Sequence, residues 1–293
     1  EGFTVDYALG NNSYCETCAS LAFAKWNHRM FLLTGDGRYL DTMEKSMHNN
    51  VLSGLSLSGD RFFYPNKLES SGDTRPDWYT CACCPPHLAN YVMSIGGYAY
   101  AHNDQALYVN LYMNGNAQIP LASNTVNLSV DTNYPWDGDI EITVTPTQAG
   151  SFPIYLRIPG WARNTPMPGN LYGYVNDSNE QVTIQVNGSP VEYDIVKGFA
   201  KMERVWNSGD TIVIVLPMPV RKVVAHPYVT ADVGLVAIQR GPIVYCAEGI
   251  DNGGSVYDLI VNDELEFSAT YEPGTLNGVV VLRSTSPTIE LVP

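Results

Sequence analysis

Five of the six cysteines fall into two tight clusters. One is Cys15-Glu16-Thr17-Cys18, the other is Cys81-Ala82-Cys83-Cys84-Pro85-Pro86-His87, and Cys246 stands alone. Adjacent Cys83 and Cys84 pair with each other only under strain. A secreted disulfide framework would spread its cysteines through a much shorter chain. Close-spaced thiols from two distant segments read instead as ligands meeting at one metal. Four soft or borderline donors suit Zn2+ in tetrahedral geometry. The alternative is buried cysteines acting as small apolar side chains. Spacing leaves the donor set open. Cys15/Cys18 with Cys81/Cys84 gives a closed structural site, and Glu16/Cys18 with Cys83/Cys84 gives a mixed one. Pro85-Pro86 signals a helix start, which lowers the pKa of a nearby thiol. A thiolate held that way is a nucleophile as well as a ligand.

Glu1, Glu16, Glu44 and Glu69 all lie in the same N-terminal part. Glycoside hydrolysis needs a carboxylic acid to protonate the leaving oxygen and a partner on the other face of the sugar. A thiolate is able to replace that partner. Taken singly, each glutamate is also an ordinary surface residue. Phe62-Phe63-Tyr64 and Asp77-Trp78-Tyr79 offer rings for stacking on sugars or for a core. His87 follows the prolines and is placed to line such a site. His28 and His48 fall on expected helices and read as ordinary residues, and His102 and His226 have no motif around them. Neither a phosphate-binding glycine loop nor a Gly-x-Ser-x-Gly elbow is present.

The elements that must position these groups change character near residue 103. Asn12 or Ser13 caps a helix running to about Thr34, with Leu21, Trp26, Met30 and Leu33 on buried stripes. Gly35 stops it, Asp36 caps a second helix from Arg38 to about Asn50, and the short link makes an antiparallel hairpin. A ribbon over 61–64 follows, then a helix over 87–98 loosened by Gly96-Gly97. From Ala106 the period becomes two. Strands are expected over 107–112, 125–130, 140–145, 154–158, 182–186, 211–216, 235–239, 243–247 and 279–282, with a tight turn at Asn187-Gly188. This spacing means a β-sandwich. The reading divides the chain into a helical part (1–103), a β-sandwich (104–225) and a second β-rich segment (226–293).

The 293 residues carry 16 Lys and Arg against 30 Asp and Glu, a formal charge of −14. That balance argues against nucleic-acid partners and anionic membrane surfaces. No apolar run approaches the roughly 18 residues of a membrane span. Glu1-Gly2-Phe3-Thr4 has neither a Met nor the layout of a signal peptide, so the gene is expected to start upstream. Two helical hairpins alone make a poor core, so the helical part is expected to belong to something larger. Metal-held thiols suit a bacterial cytoplasm or a periplasm alike.

Several stretches resemble glycoside hydrolase family 127, the β-L-arabinofuranosidases. They are Glu1-Gly2-Phe3-Thr4-Val5-Asp6-Tyr7, Glu16-Thr17-Cys18-Ala19-Ser20, Tyr64-Pro65-Asn66-Lys67-Leu68-Glu69 and Cys81-Ala82-Cys83-Cys84-Pro85-Pro86. Tyr134-Pro135-Trp136-Asp137-Gly138, Arg157-Ile158-Pro159-Gly160-Trp161 and Arg240-Gly241-Pro242-Ile243-Val244-Tyr245-Cys246 are similar too. The resemblance implies an α+β multidomain fold, the C-terminal part of an (α/α)6 barrel followed by β-sandwich domains. It implies Zn2+ held by Glu16, Cys18, Cys83 and Cys84, with Cys83 as nucleophile. Glu1 becomes the acid/base, across a gap to the zinc glutamate one residue shorter than in the family. Glu44 and Tyr64 match positions that face the sugar; His87, from its place after the prolines, is the further expected substrate contact. The implied activity is retaining exo-hydrolysis of terminal β-L-arabinofuranosyl or related residues of plant-derived oligosaccharides and glycans. A homodimer is an expected form. The first half of the barrel is missing, so this stretch alone is expected to be inactive. Cys15 stands where the family carries a small residue; it is a bystander or a replacement for Glu16. The rival readings are a family member with another sugar specificity and a carbohydrate-binding scaffold with a structural zinc.

Overall fold

The computed structural model describes residues 6–11, 13–78, 80–284 and 290–292. Its helical part comprises α1 (Thr17–Thr34), α2 (Arg38–Ser46) and α3 (Cys84–Ser94). The link between α1 and α2 turns on Gly35, whose φ of +64° suits a residue without Cβ; its N–H closes the helix on the Phe31 carbonyl at 2.7 Å. α2 continues as a π-turn over Met47–Val51 and a 3-10 turn over Leu52–Gly54. Leu21, Ala24 and Phe31 of α1 form the stripe that meets Leu40 and Met43 of α2 and Leu88 and Tyr91 of α3. Trp26 and Leu33, expected on that stripe, lie off it and are exposed.

Helix α1 starts later than the capping residues Asn12 and Ser13 suggest. Glu16 is extended (φ −84°, ψ 134°), bridges Pro65 in antiparallel fashion, and itself occupies the N-cap position. The first helical N–H, that of Thr17, donates to the Tyr64 carbonyl at 2.9 Å. Tertiary pairing here outcompetes a cap.

Two sheets share the largest core. One runs Tyr100–His102, Leu107–Val109, Gly150–Arg157, Phe199–Trp206, Ile195–Val196. The other runs Gly115–Leu121, Asn124–Thr132, Asp139–Pro146, Asp210–Val215, Thr183–Val186, Ser189–Pro190. Alternate residues such as Ile154 and Met202 from the first and Ile142 and Ile212 from the second are buried together. Asn187 and Gly188 both have positive φ, as the tight hairpin needs. A third sheet comprises Phe267–Glu272, Val279–Ser284, Glu290–Val292, Ile243–Ala247, Ala237–Arg240, Val220–Ala225 and Tyr172–Tyr174. Val220–Ala225, read from the sequence as the tail of the sandwich, thus belongs to this sheet.

Both β regions grip α2. Gly37 N–H donates to the Lys197 carbonyl at 2.7 Å, and a Cβ on Gly37 would sit 3.0 Å from that oxygen. Asn49 donates to the Pro242 carbonyl at 2.9 Å and accepts from Val244 N–H at 2.7 Å. Among the described residues, no helix is long and apolar enough to cross a membrane.

Candidate active site

The strand-like residues 15–17 and the segment 63–66 run antiparallel. Asn66 N–H donates to the Cys15 carbonyl at 2.7 Å and Thr17 Oγ1 donates to the Phe63 carbonyl at 2.8 Å. Thr17 also packs on Gly54, where a Cβ would meet its side chain at 3.0 Å. This pairing sets Tyr64 beside Glu16. α1 then carries Cys18, and its packing on α3 brings the start of α3 to the same place. Cys83 caps α3 and Cys84 opens it, with prolines filling the first turn, where missing N–H groups cost nothing.

Glu16, Cys18, Cys83 and Cys84 offer ligand atoms that all lie within 4.8 Å of one another. Cys83 Sγ is 3.4 Å from Cys18 Sγ, 4.0 Å from Cys84 Sγ and 3.4 Å from Glu16 Oε1. Cys84 Sγ is 3.8 Å from the same oxygen. A tetrahedral ion with bonds of about 2.3 Å to sulfur separates two sulfurs by roughly 3.8 Å and a sulfur from an oxygen by roughly 3.6 Å. The donors are therefore spaced to hold one metal ion.

Their electrostatics make the same point. Burial pushes the Cys18 thiol well up, and Cys84 and Cys83 add to it; burial pushes the Cys84 thiol up to about 11, with Cys83 adding and the Cys18 hydrogen bonds opposing. The Tyr64 hydroxyl, 3.5 Å from Cys83 Sγ, holds the Cys83 thiol below its ordinary value. A cation among these sulfurs would favour the thiolate form of the two thiols that burial holds up.

Cys15 and Cys81 lie outside this group of donors. Extended residues alternate sides, so with Glu16 turned into the group Cys15 turns away. His87 is exposed on the first turn of α3, where its N–H donates to the Cys83 carbonyl at 3.3 Å. Glu69 is exposed. Glu1 and Tyr79 lie outside the described residues.

Glu44 requires a correction. Expected to face the sugar, it is 1% exposed and fully engaged within the fold. Arg157 donates to both of its oxygens at 3.1 and 2.5 Å, and the Tyr134 hydroxyl donates to Oε1 at 2.6 Å. Arg157 also reaches Asp41 Oδ1 at 3.2 Å. Burial pushes the Glu44 carboxyl up, but the charge and hydrogen bonds of Arg157, with His48 and the Tyr134 hydroxyl, together outweigh it and hold it below the usual range. Buried in this way, Glu44 presents no surface to a ligand in this chain.

Sequence reasoning missed Tyr14, whose hydroxyl donates to Glu16 Oε2 at 3.1 Å. The available signal was the period of two: in an extended segment, residues 14 and 16 share a face.

Family models match in succession along the chain. Residues 1–97 match the β-L-arabinofuranosidase GH127 catalytic domain, 106–218 its middle domain and 220–293 the family's C-terminal domain. The chain belongs to glycoside hydrolase family 127. A non-reducing end β-L-arabinofuranosidase of Bifidobacterium longum is 33% identical to this GH127 chain over 302 residues, 95% of the chain and 43% of that relative. A solved GH127 β-arabinofuranosidase superposes with a TM-score of 0.94 at 38% identity, over 99% of the chain and 48% of its own. A GH127 β-L-arabinofuranosidase from Geobacillus stearothermophilus T6 gives a TM-score of 0.90 at 37% identity, over 99% of the chain and 49% of its own. The chain thus spans about half the length of these relatives.

Proposed function

We propose that the protein is a retaining exo-glycosidase removing terminal β-L-arabinofuranosyl or closely related residues from plant-derived glycans. Cys83 is the nucleophile, Glu1 the acid/base, and Zn2+ the ion held by Glu16, Cys18, Cys83 and Cys84. The three helices are read as the C-terminal part of an (α/α)6 barrel. The observation that carries the proposal is the convergence of these four donors at the start of α3, in a family whose similar members are named for that activity.

Bound Zn2+ supplies one thing, a thiolate that is stable at neutral pH. Protonated Glu1 donates to the glycosidic oxygen as the bond from that oxygen to the anomeric carbon breaks. Cys83 Sγ attacks that carbon and a C–S bond forms. Glu1, now a carboxylate, takes a proton from water, whose oxygen displaces sulfur. Two inversions restore the starting configuration. Tyr64, beside Cys83 Sγ, is placed to hydrogen-bond the sulfur as it leaves.

The test is Cys83→Ala in the protein as its gene encodes it, assayed on a nitrophenyl β-L-arabinofuranoside. Turnover is expected to vanish while metal content falls only in part. Mass mapping of the wild type during turnover should find a pentosyl adduct on the Cys83 peptide. Turnover surviving in the variant would sink the nucleophile. A wild type that holds zinc firmly yet processes no glycoside would favour the scaffold with a structural ion.

A further inference from the structure

The two oxygens of Glu16 have different neighbours. Oε1 faces sulfur, 3.4 Å from Cys83 and 3.8 Å from Cys84. Oε2 receives the Tyr14 hydroxyl at 3.1 Å. The Tyr14 ring lies 6.3 Å from the Tyr64 ring, and Tyr14 is, after Cys83, the hydrogen-bonding neighbour that most raises the Tyr64 hydroxyl's pKa. Tyr64 in turn stands 3.5 Å from Cys83 Sγ. These contacts close a ring: Glu16 Oε1, Cys83 Sγ, Tyr64 Oη, Tyr14 Oη and back to Glu16 Oε2.

We propose that Tyr14 is a positioning residue that makes Glu16 a one-oxygen ligand and, through Tyr64, ties that ligand to the Cys83 sulfur. The inference rests on the reading of the four donors as a metal cage and deepens it. A carboxylate free at both oxygens tends to chelate. With three thiolates that would make a fifth donor atom and a more crowded ion. A hydrogen bond to the outer oxygen removes that option, the usual work of groups behind a metal ligand. Proton counting fits the ring. The single Tyr14 proton is committed to the carboxylate, so its oxygen is left to accept. Among the described residues, the single Tyr64 proton then has the Cys83 sulfur and the Tyr14 oxygen as acceptors. It goes to sulfur while sulfur carries charge, and to Tyr14 once sulfur carries the sugar.

The experiment compares wild type, Tyr14→Phe, Tyr64→Phe and the double variant. It measures Zn2+ affinity by chelator competition and the visible spectrum of the Co2+-loaded proteins. Tyr14 is half exposed, and the change deletes one oxygen, so the fold has no reason to fail. Tyr14→Phe is expected to weaken Zn2+ binding by about 10- to 100-fold. Its Co2+ bands should lose intensity as the donor number rises from about four to five. Tyr64→Phe should leave those bands unchanged but alter the alkylation rate of Cys83. The two substitutions should be non-additive in that rate. Wild-type affinity and spectrum in Tyr14→Phe overturn the proposal, as does weaker affinity with unchanged bands. A wild type that takes up neither ion overturns the cage itself, a separate failure.

Discussion

Two clusters of charged or ionisable groups join distant parts of this chain, and they are built on opposite plans. At the Arg157 cluster, two carboxylates on α2 close on one guanidinium from the sandwich, all of it nearly sealed from water. Arg163 and the Gly160 N–H supply further partners to Asp41. Charge there is met from inside the chain. At the Glu16 cluster, every member is an acid or a thiol, and, among the described residues, the neighbours that shift the three thiols include no Lys or Arg. A balanced cluster is complete as folded and holds the helical part on its β support. An unbalanced one calls for a cation from outside, and a thiolate beside a cation is able to do chemistry. Position in sequence does not tell the two kinds of glutamate apart; the sign of their neighbours does.

Removing the counter-charge is the most drastic way to break that contrast. Arg157→Met leaves Asp41 and Glu44 buried without it, and about 3–5 kcal/mol of stability should be lost. Thermal or urea unfolding measures this, and metal affinity in the surviving folded fraction should be unchanged. A variant as stable as wild type would show that the cluster is not the clamp described. Cys84→Ala should do the reverse. With structural zinc sites worth about 10–16 kcal/mol, one donor in four corresponds to roughly two to three decades of affinity. Equilibrium dialysis would read that loss, while the melting midpoint of the metal-free protein should barely move.

The same contrast explains what the sequence made legible. Helices α1 to α3 stand out because apolar residues recur at helical spacing and Gly35 and Pro85-Pro86 mark ends. Glu16 and the cysteines stand out because metal donors cluster where core residues do not. The role of Glu44 was hidden, because its partner Arg157 lies 113 residues away on a strand and no local pattern links them. Phe199–Trp206 was missed for a related reason. Ala200-Lys201-Met202-Glu203-Arg204 is rich in helix formers, and only pairing with Gly150–Arg157 makes it a strand. Gly115–Leu121 escaped notice because Pro120 reads as a breaker, but it is an edge strand, where proline is tolerated.

Glu44→Gln sharpens the comparison by removing charge while keeping shape. At neutral pH it should cost about 1–3 kcal/mol, since Arg157 retains Asp41 but loses a charged acceptor. Because the folded carboxyl is held below its ordinary value of 4.5, the stabilisation is fully present above that pH and is lost as pH falls through the lower folded value. The stability gap between wild type and Glu44→Gln, read from urea midpoints at a series of pH values, should be constant near neutrality and shrink in acid. A gap that widens in acid would contradict the assignment of Arg157 as the main influence holding the Glu44 carboxyl down.

The smallest effect is the most discriminating. Cys15 neighbours Glu16 in the chain, and composition alone lets either be a ligand. Thiols bind zinc-like ions at least as well as carboxylates do, so a cage free to choose would take Cys15 and make four sulfurs. The backbone removes the choice. Pairing of Glu16 with Pro65 fixes the extended conformation, and alternation then sends one of the two side chains inward. Cys15→Ala should therefore leave metal content and affinity within error of wild type, whereas Glu16→Gln should lower both. Metal loss confined to the Cys15 variant would mean that residues 14–16 sit one position out of register, and that the carboxylate, its tyrosine and the unbalanced cluster must be reassigned together.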